Sequence, residues 1–423
     1  MSENTASQIA APQNAQASGR TILLFLALAL MSALLNSSAP TPLYPLYQQQ
    51  LTLSSVSLTV IYGAYAAGVL ISLFGVGNLA GKVKDLRSMI VPALLVVLSG
   101  ALLFARADTF AMMLMARLLA GVGTGALTGA ANIALVRFGP RDGGKNAALI
   151  ATLSFTTGLA LGPIFSGIAL QTGFHPTTLP FVFIMVMAAV AALGVMFSWP
   201  RGVVTAPSHV TAPSHVTAPS HVTSAETEKS SLLDGLRATG GKFFVCAGAL
   251  FICWALAASI LAIGPGVAET LLGLHARGVF GYAIAVYLLI AGISQILSRR
   301  VNARHSLLFG CLAQVLAAVV FTMAIQWHSL GLAAVGLVVA GYAYGAIFVG
   351  SATLVNLISP PTSHARLLSL FYVIAYIANW VPILLGVVVD RVDLNQATHL
   401  LFLGSTVVCL LLAWKTSRVG FPR

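Results

Sequence analysis

The 423-residue chain is 58% hydrophobic and only 8% charged, whereas about 25% of the residues in a soluble domain are charged. A soluble protein of this length could not bury so much apolar surface, so the composition excludes a soluble fold. The net charge of +12 would suggest a nucleic-acid partner in a soluble protein. Here the Lys and Arg residues lie between apolar segments, where they set orientation in a lipid bilayer, so no nucleic-acid partner is expected.

Windows of about 20 apolar residues, the length that crosses a bilayer as a helix, recur along the chain. In the first half we predict spans at 21–40, 56–76, 89–105, 109–136, 147–170 and 179–199. In the second half we predict spans at 243–264, 278–297, 306–325, 330–357, 367–389 and 397–414. The sequence therefore predicts an all-α membrane protein with two six-helix bundles, 21–199 and 243–417, between a disordered tail (1–20) and a short tail (418–423).

The distribution of Lys and Arg between the spans indicates their orientation. If both termini lie in the cytoplasm, every Lys and Arg between the spans except Arg106, Arg277 and Arg391 lies on the cytoplasmic side. Because positively charged loops stay in the cytoplasm, we expect a multi-pass protein of a bacterial inner membrane with both termini cytoplasmic.

A linker at 200–242 is predicted to join the two bundles on the cytoplasmic side, and it contains Thr-Ala-Pro-Ser-His-Val three times in tandem. The spacing of His209, His215 and His221 raises the alternative of a metal site. No acid or Cys completes such a site, and Pro-rich polar repeats favour a flexible linker, so neither metal nor cofactor is expected. The charged stretch 226–242 is predicted to form a short surface helix.

Arg117 is the one Lys or Arg inside a predicted span, in the pattern Arg117-x-x-x-Gly121-x-Gly123-x-Gly125. A charge near the bilayer centre costs roughly 2.5–3.5 kcal/mol on insertion scales, so it needs a partner or a function. The glycines that follow let a neighbouring helix approach closely. Arg117 therefore either pins main-chain carbonyls of another helix or takes part in the activity.

Two six-span halves, a long linker and this fourth-span pattern together resemble the major facilitator superfamily. The resemblance implies two pseudo-symmetric bundles that transport a small-molecule substrate by alternating access, as a monomer and without a cofactor. It also implies that Arg117 assists the movement of protons.

The fifth span carries Gly158-x-x-x-Gly162-Pro163-x-x-Ser166-Gly167, in which Ser166 stands where the family motif has a glycine. The pattern resembles the motif of drug:proton antiporters within the superfamily, which implies proton-coupled efflux. A proline inside a helix also permits an ordinary bend, which is the alternative for this span. The alternative function is proton-linked import of a small organic acid or sugar.

The loop after the second span resembles the inner-gate loop of the family. Gly77 matches the family pattern, Lys82 and Arg87 keep its basic character, and Gly81 stands where the family has an acid. Asp85 is the candidate to replace that acid in a charge network. The alternative is a basic loop that only sets the topology.

In the family, spans 1, 4, 7 and 10 line a central cavity, so polar and aromatic residues of these and neighbouring spans are candidates for its lining. Helix packing is the alternative for each of them. The candidates are Asn36, Ser37, Tyr62, Tyr65, Asn132, Trp254, Tyr342, Tyr344, Tyr376 and Asn379. Prolines at 40, 42 and 45 are expected to break the first span near its outer end.

All ten Asp and Glu residues lie outside the predicted spans, although proton-coupled carriers usually keep an ionisable group in the membrane. Asp108, Glu269 and Asp390 lie at the outer ends of spans and, with Arg117, are the candidates for proton coupling. A cavity with Arg117 and no acid favours anionic or zwitterionic substrates. The sequence has no Walker-type phosphate loop and no HExxH motif, so neither an enzyme nor an ATP-driven pump is expected.

Reporter fusions check this topology. Fusions at Ser231 and Arg423 should report the cytoplasm, and a fusion at Asp108 should report the outer side. An external signal at Ser231 or Arg423 would contradict the predicted orientation.

Overall fold

The structure, a computed structural model, describes residues 13–80, 85–140, 144–199 and 232–421. The helices of the first half are α1 (Gln13–Ser38), α2 (Tyr44–Gln50), α3 (Ser55–Ala80), α4 (Arg87–Ala105), α5 (Phe110–Phe138), α6 (Lys145–Thr172) and α7 (Leu179–Ser198). Those of the second half are α8 (Leu232–Thr239), α9 (Gly241–Thr270), α10 (Arg277–Ser298), α11 (Ala303–Gln326), α12 (Leu330–Ile358), α13 (His364–Ile377), α14 (Val381–Arg391) and α15 (Leu394–Arg418).

Within the described residues, twelve helical segments are long and apolar enough to cross a membrane, and they coincide one for one with the predicted spans. The predicted fold class is therefore confirmed. An even number of spans places both ends of the chain on the same side of the molecule. We call this side the terminal side and the other the opposite side.

The segments flanking the bundles differ in part from the expectation. Helix α1 begins at Gln13, inside the stretch predicted as a disordered tail. The short helix α8 lies within the charged stretch 226–242, where a surface helix was predicted. The Thr-Ala-Pro-Ser-His-Val repeats lie outside the described residues.

The first span is broken near the opposite side, as the prolines predict. Helix α1 ends at Ser38, a 3₁₀ turn follows at Thr41–Leu43, and α2 then runs from Tyr44 to Gln50. Pro40, Pro42 and Pro45 have no N–H to continue an α-helical ladder. The last carbonyls of α1 are therefore available to other donors.

The eleventh span is also interrupted, at a point inside the predicted window 367–389 that the sequence analysis did not single out. Helix α13 ends at Ile377, a 3₁₀ turn covers Ala378–Trp380, and α14 begins at Val381. Pro382 lies in the first turn of α14. There its missing N–H costs nothing, and the interruption before it relieves the clash that its ring would make with the preceding turn.

Close backbone contacts decide how the apolar helices pack, because lipid provides no hydrophobic force to hold them together. A Cβ atom on Gly121 of α5 would lie 3.0 Å from the backbone nitrogen of Val69 in α3. A Cβ atom on Gly68 of α3 would lie 2.9 Å from the backbone nitrogen of Val122 in α5. The glycines of the fourth span therefore let α3 and α5 touch backbone to backbone.

Helix α6, the fifth span, packs against both halves of the molecule. A Cβ atom on Gly158 would lie 2.6 Å from the Met31 carbonyl oxygen of α1, and one on Gly162 would lie 2.7 Å from the Ala39 nitrogen. Nearer the opposite side, a Cβ on Gly167 would lie 2.7 Å from the Gly278 carbonyl oxygen of α10. The motif around Pro163 therefore joins the broken first span to the second half.

Substitution of Gly162 by Ala should destabilise the protein. The added methyl would contact backbone atoms of Leu35 and Ala39 within 3.0 Å, and overpacking of this kind costs about 1–3 kcal/mol. A matched control is Gly404→Ala in α15, where a Cβ meets nothing within 4 Å. Thermal melting in detergent should show a lower midpoint for the first variant and an equal or higher one for the second. Equal midpoints would contradict the close contact with α1.

Candidate functional site

A cavity of about 260 Å³ lies between the two halves. Helices α1, α3, α5 and α6 line it from the first half, and α9, α10, α12 and α13 line it from the second. On α3 the lining runs from Tyr62 to Leu73, and on α10 it runs from Tyr287 to Gln295. Both stretches extend from the middle of their helix toward the terminal side, so the cavity occupies the middle and the terminal-side part of the molecule.

Arg117 lies in the cavity wall on α5, with 1% of its surface exposed. Its Nη1 donates a hydrogen bond of 2.6 Å to the Ser37 carbonyl oxygen, in the last turn of α1. Its Cζ lies 5.4 Å and 5.2 Å from the ring centroids of Tyr62 and Tyr65 on α3, within the range of cation–π attraction. Arg117 therefore connects the broken end of α1 with α3 and α5.

Aromatic side chains form the cavity wall of the second half. The Trp254 ring of α9 stands perpendicular to Tyr376 of α13 at 5.2 Å and is parallel to Phe348 of α12 at 6.3 Å. Tyr344 is parallel to Phe348 at 6.4 Å and perpendicular in its approach to Tyr287 of α10 at 6.4 Å. We call Trp254, Tyr287, Tyr344, Phe348 and Tyr376 the aromatic wall.

Most of the candidate cavity residues line the cavity. They are Ser37, Tyr62, Tyr65, Trp254, Tyr344, Tyr376 and Asn379.

Three candidates do not line the cavity. Asn36 is buried and donates to the Val97 carbonyl oxygen of α4 at 3.3 Å. Asn132 donates to the Thr128 carbonyl oxygen of its own helix at 2.9 Å. Tyr342 is 44% exposed on the outside of α12. Two residues correspond to about 200° around a helix, so Tyr342 and Tyr344 face opposite ways.

The structure also adds lining residues that the sequence interpretation missed. Tyr287, Ala291 and Gln295 of α10 follow each other at a spacing of four residues and all line the cavity, as does Phe348 of α12. Tyr287 and Gln295, two polar residues about two helical turns apart in an apolar span, are the signal that could have identified this face.

The acidic candidates lie away from the cavity, toward the opposite side. Asp108 is exposed in the turn between α4 and α5. Glu269 is in the last turn of α9 and lines a small cleft with Pro42 and Pro45. Asp390 is in the last turn of α14. The prediction that all acids lie outside the spans is therefore wrong for Glu269 and Asp390, because α9 and α14 continue past the apolar windows.

Helices α3 and α14 form a seam between the two halves at the opposite side. The backbone N–H groups of Ser55 and Val56 donate to the two carboxylate oxygens of Asp390, at 2.8 Å and 3.0 Å. A Cβ atom on Gly386 would lie 2.9 Å from the Ser55 carbonyl oxygen. Further along, Trp380 Nε1 donates to the Gly63 carbonyl oxygen at 3.2 Å. The carboxylate of one half thus caps the first helical turn of the other.

The loop that resembles an inner gate is described in part. Gly77 lies in α3, and Lys82 lies outside the described residues. Asp85 accepts hydrogen bonds from the Arg87 side chain at 2.9 Å and 2.6 Å. These bonds from Arg87 hold the pKa of Asp85 below its usual value. These contacts join Asp85 and Arg87, which are two residues apart in the chain. The gating role of this loop stays a prediction.

The cavity is lined by aromatic, apolar and hydroxyl side chains and by Arg117, and no Asp, Glu or His is among its described lining residues. In the described part of the chain, no three His, Cys, Asp or Glu residues form a group that could hold a metal ion. The four cysteines are buried and unpaired.

The family profile of the Major Facilitator Superfamily matches residues 26–381. The chain belongs to this superfamily. The match begins within α1 and ends at the first residue of α14, so the cavity-lining residues of both halves lie within it. No curated protein sequence matches the chain.

Solved structures of transporters share the fold of this superfamily member. A bacterial homolog of the human lysosomal transporter Spinster, inward-facing and unoccupied, has a TM-score of 0.71 at 15% identity, covering 95% of this chain and 97% of that one. A POT family transporter in complex with a thioalcohol-conjugated peptide has a TM-score of 0.70 at 13% identity, covering 94% and 96%. The nucleoside transporter NupG has a TM-score of 0.67 at 16% identity, covering 94% and 99%. At these identities the likeness shows the fold alone.

Substitution of Arg117 by Met should abolish transport without destabilising the protein. Loss of the bond to Ser37 costs about 1.5–3 kcal/mol, but a buried charge without an opposite charge costs several kcal/mol, which Met removes. We expect an unchanged or higher melting temperature in detergent, together with loss of transport in membrane vesicles.

Arg304→Met is the matched control. Arg304 is partly exposed near the terminal side and donates to the Thr416 and Ser417 carbonyl oxygens at 3.1 Å and 2.7 Å. Its removal loses two hydrogen bonds without relieving a buried charge, so it should lower the melting temperature and retain transport. A large loss of stability in Arg117→Met would show that Arg117 is a structural pin.

Proposed function

We propose that this superfamily member is a secondary active transporter that exports small amphipathic or anionic molecules by alternating access, in exchange for protons. The cavity between the two halves carries the proposal. It is lined by both halves, and its described lining holds one cation and no carboxylate. A substrate there would contact both bundles, as alternating access requires.

The seam between α3 and α14 supports the alternating-access mechanism. Asp390, Gly386 and Trp380 of the second half contact Ser55, Thr59 and Gly63 of the first at the opposite side, while the cavity extends toward the terminal side. Opening toward the opposite side must break these contacts. We assign Asp390 as the latch, the residue that holds the opposite side closed, because its carboxylate accepts hydrogen bonds from the other half.

The orientation and direction rest on the sequence patterns. The excess of Lys and Arg in the loops of the terminal side supports a cytoplasmic location of both termini in a bacterial inner membrane. The cavity would then face the cytoplasm, from which an exporter loads. The Gly158 to Gly167 pattern supports antiport through its resemblance to drug:proton antiporters. Its glycines pack against α1 of the first half and α10 of the second. These helices must move relative to each other when the two halves change their arrangement.

Proton flux in everted membrane vesicles tests the proposal. Respiring everted vesicles are acidic inside and expose the cytoplasmic face, so an antiported substrate added outside should dissipate the pH gradient. Organic acids, amphipathic dyes and nucleosides should be compared, with vesicles that lack the protein as the control. Absence of a response to every class would contradict antiport, and uptake that needs the reverse proton gradient would indicate import.

Substitution of Asp390 by Asn should favour the conformation that is open to the opposite side. An amide keeps one acceptor oxygen but turns an NH₂ group toward a backbone N–H, so one of the two bonds is lost. A bond to a charged group contributes about 1.5–3 kcal/mol, so the open population should rise roughly tenfold or more. Labelling of Thr41→Cys in the cavity by an impermeant maleimide, applied from the opposite side, measures this change.

Asp393→Asn is the matched control for this experiment. Asp393 also caps a helix, with Oδ1 accepting from the Gln396 nitrogen at 2.6 Å, but both residues belong to α15 and its cap. Its substitution should leave the labelling rate unchanged. Equal rates for both variants and the parent would contradict a latch at Asp390.

A further inference from the structure

The cavity holds a positive charge that its described lining does not neutralise. Arg117 is 1% exposed, and its neighbours are the Ser37 carbonyl oxygen, the faces of Tyr62 and Tyr65, and the hydroxyl of Tyr44. These partners attract a cation through partial charges only. A buried charge without an opposite charge costs several kcal/mol, so an anion bound in the cavity would be stabilised there and would stabilise Arg117 in turn.

Three polar atoms on cavity-lining residues are buried without a hydrogen-bond partner. They are Arg117 Nε, Trp254 Nε1 and the Tyr372 hydroxyl. The two nitrogens can only donate, and the hydroxyl can donate. A buried donor without an acceptor costs about 1–3 kcal/mol. A ligand rich in acceptors, such as a carboxylate, would satisfy donors of this kind, whereas an ammonium ligand would not.

The aromatic wall supplies flat apolar surfaces on the other side of the cavity. The Phe348 ring is nearly parallel to the ring of Trp254, at a centroid distance of 6.3 Å, and to that of Tyr344, at 6.4 Å. The Tyr376 ring stands perpendicular to that of Trp254. Aromatic ligands pack against such rings in stacked and edge-on arrangements. A cavity of about 150 Å³ binds benzene, so the 260 Å³ here accommodates one or two rings with a substituent.

We propose that the cavity binds a planar aromatic carboxylate, with its carboxylate toward Arg117 of the first half and its rings against the aromatic wall of the second. The inference rests on the proposed transport function, since it names the substrate class of the same site. The two ends of the ligand contact different halves. The free energy of binding therefore depends on how the halves are arranged. Such a difference is what allows a ligand to shift a conformational equilibrium.

A matched series of ligands tests the proposal on the purified full-length protein in nanodiscs, by titration calorimetry. The series is 2-naphthoate, its neutral amide 2-naphthamide, the cation 2-naphthylmethylammonium and the non-aromatic cyclohexanecarboxylate. We expect 2-naphthoate to bind roughly tenfold or more tightly than the amide, as a charge-assisted hydrogen bond requires. The cation and the non-aromatic acid should bind more weakly than 2-naphthoate.

Variants separate the two ends of the ligand. Arg117→Met should reduce the ratio of naphthoate to naphthamide affinity to about one, because Met removes only the charge-dependent part of binding. Tyr344→Leu should weaken both ligands and retain the ratio. Tyr342→Leu, two residues away on the exposed face of α12, is the control and should match the parent protein.

The ligand series on the parent protein decides the proposal even if a variant does not fold. Equal or tighter binding of the amide or the cation would overturn it, and so would a failure of 2-naphthoate to bind at millimolar concentration. Vesicle proton flux is measured separately. Binding of 2-naphthoate without proton flux would support the proposed ligand class and contradict antiport. Proton flux with other compounds and no binding of 2-naphthoate would support antiport and contradict the proposed ligand class.

Discussion

The contact between Arg117 and the broken end of α1 is the interaction on which the cavity depends. A guanidinium inside a membrane-spanning helix needs acceptors, and a helix interrupted by prolines leaves carbonyls without helical donors. The 2.6 Å bond from Arg117 to Ser37 gives the guanidinium one acceptor and gives the broken helix one donor. The same side chain lies against Tyr62 and Tyr65 of α3, so the charge of α5 meets α1 and α3 at one wall of the cavity.

Small residues make that arrangement possible. In lipid, close backbone approach and interhelical hydrogen bonds replace the hydrophobic force that packs soluble helices. Gly68 and Gly121 bring α3 and α5 into backbone contact, and Gly158 and Gly162 do the same for α6 and α1. Because α6 also contacts α10 through Gly167, it connects the second half with the helix that carries Ser37.

The two halves meet in different ways at the two sides of the molecule. At the opposite side, Asp390 provides a carboxylate to the first N–H groups of α3, where the helix dipole also favours a negative charge. Toward the terminal side the halves enclose the cavity, and its described lining includes Arg117 as the only charged residue. A discrete contact that is made in one arrangement and broken in the other is the kind of element on which switching between two states depends.

The breaks in the spans show what local sequence determines. The apolar windows predicted all twelve spans, because the thickness of a bilayer requires a minimum helix length. The prolines at 40–45 predicted the break in the first span. Pro382 was equally visible, but its position inside an apolar window obscured the break at Ala378–Trp380.

The sequence predicted which types of residue form the candidate site, and tertiary packing determined which of those residues line the cavity. The sequence alone determined the membrane class, the number of spans, the first break and the presence of a buried arginine that needed acceptors. It could not determine which side of each helix faces the cavity, since helices surrounded by lipid are apolar on every side and carry little periodic signal. Only packing separated Tyr344 from Tyr342 and turned Asn36 toward α4. Only the meeting of the two halves brought Asp390 to Ser55, 335 residues away in the chain.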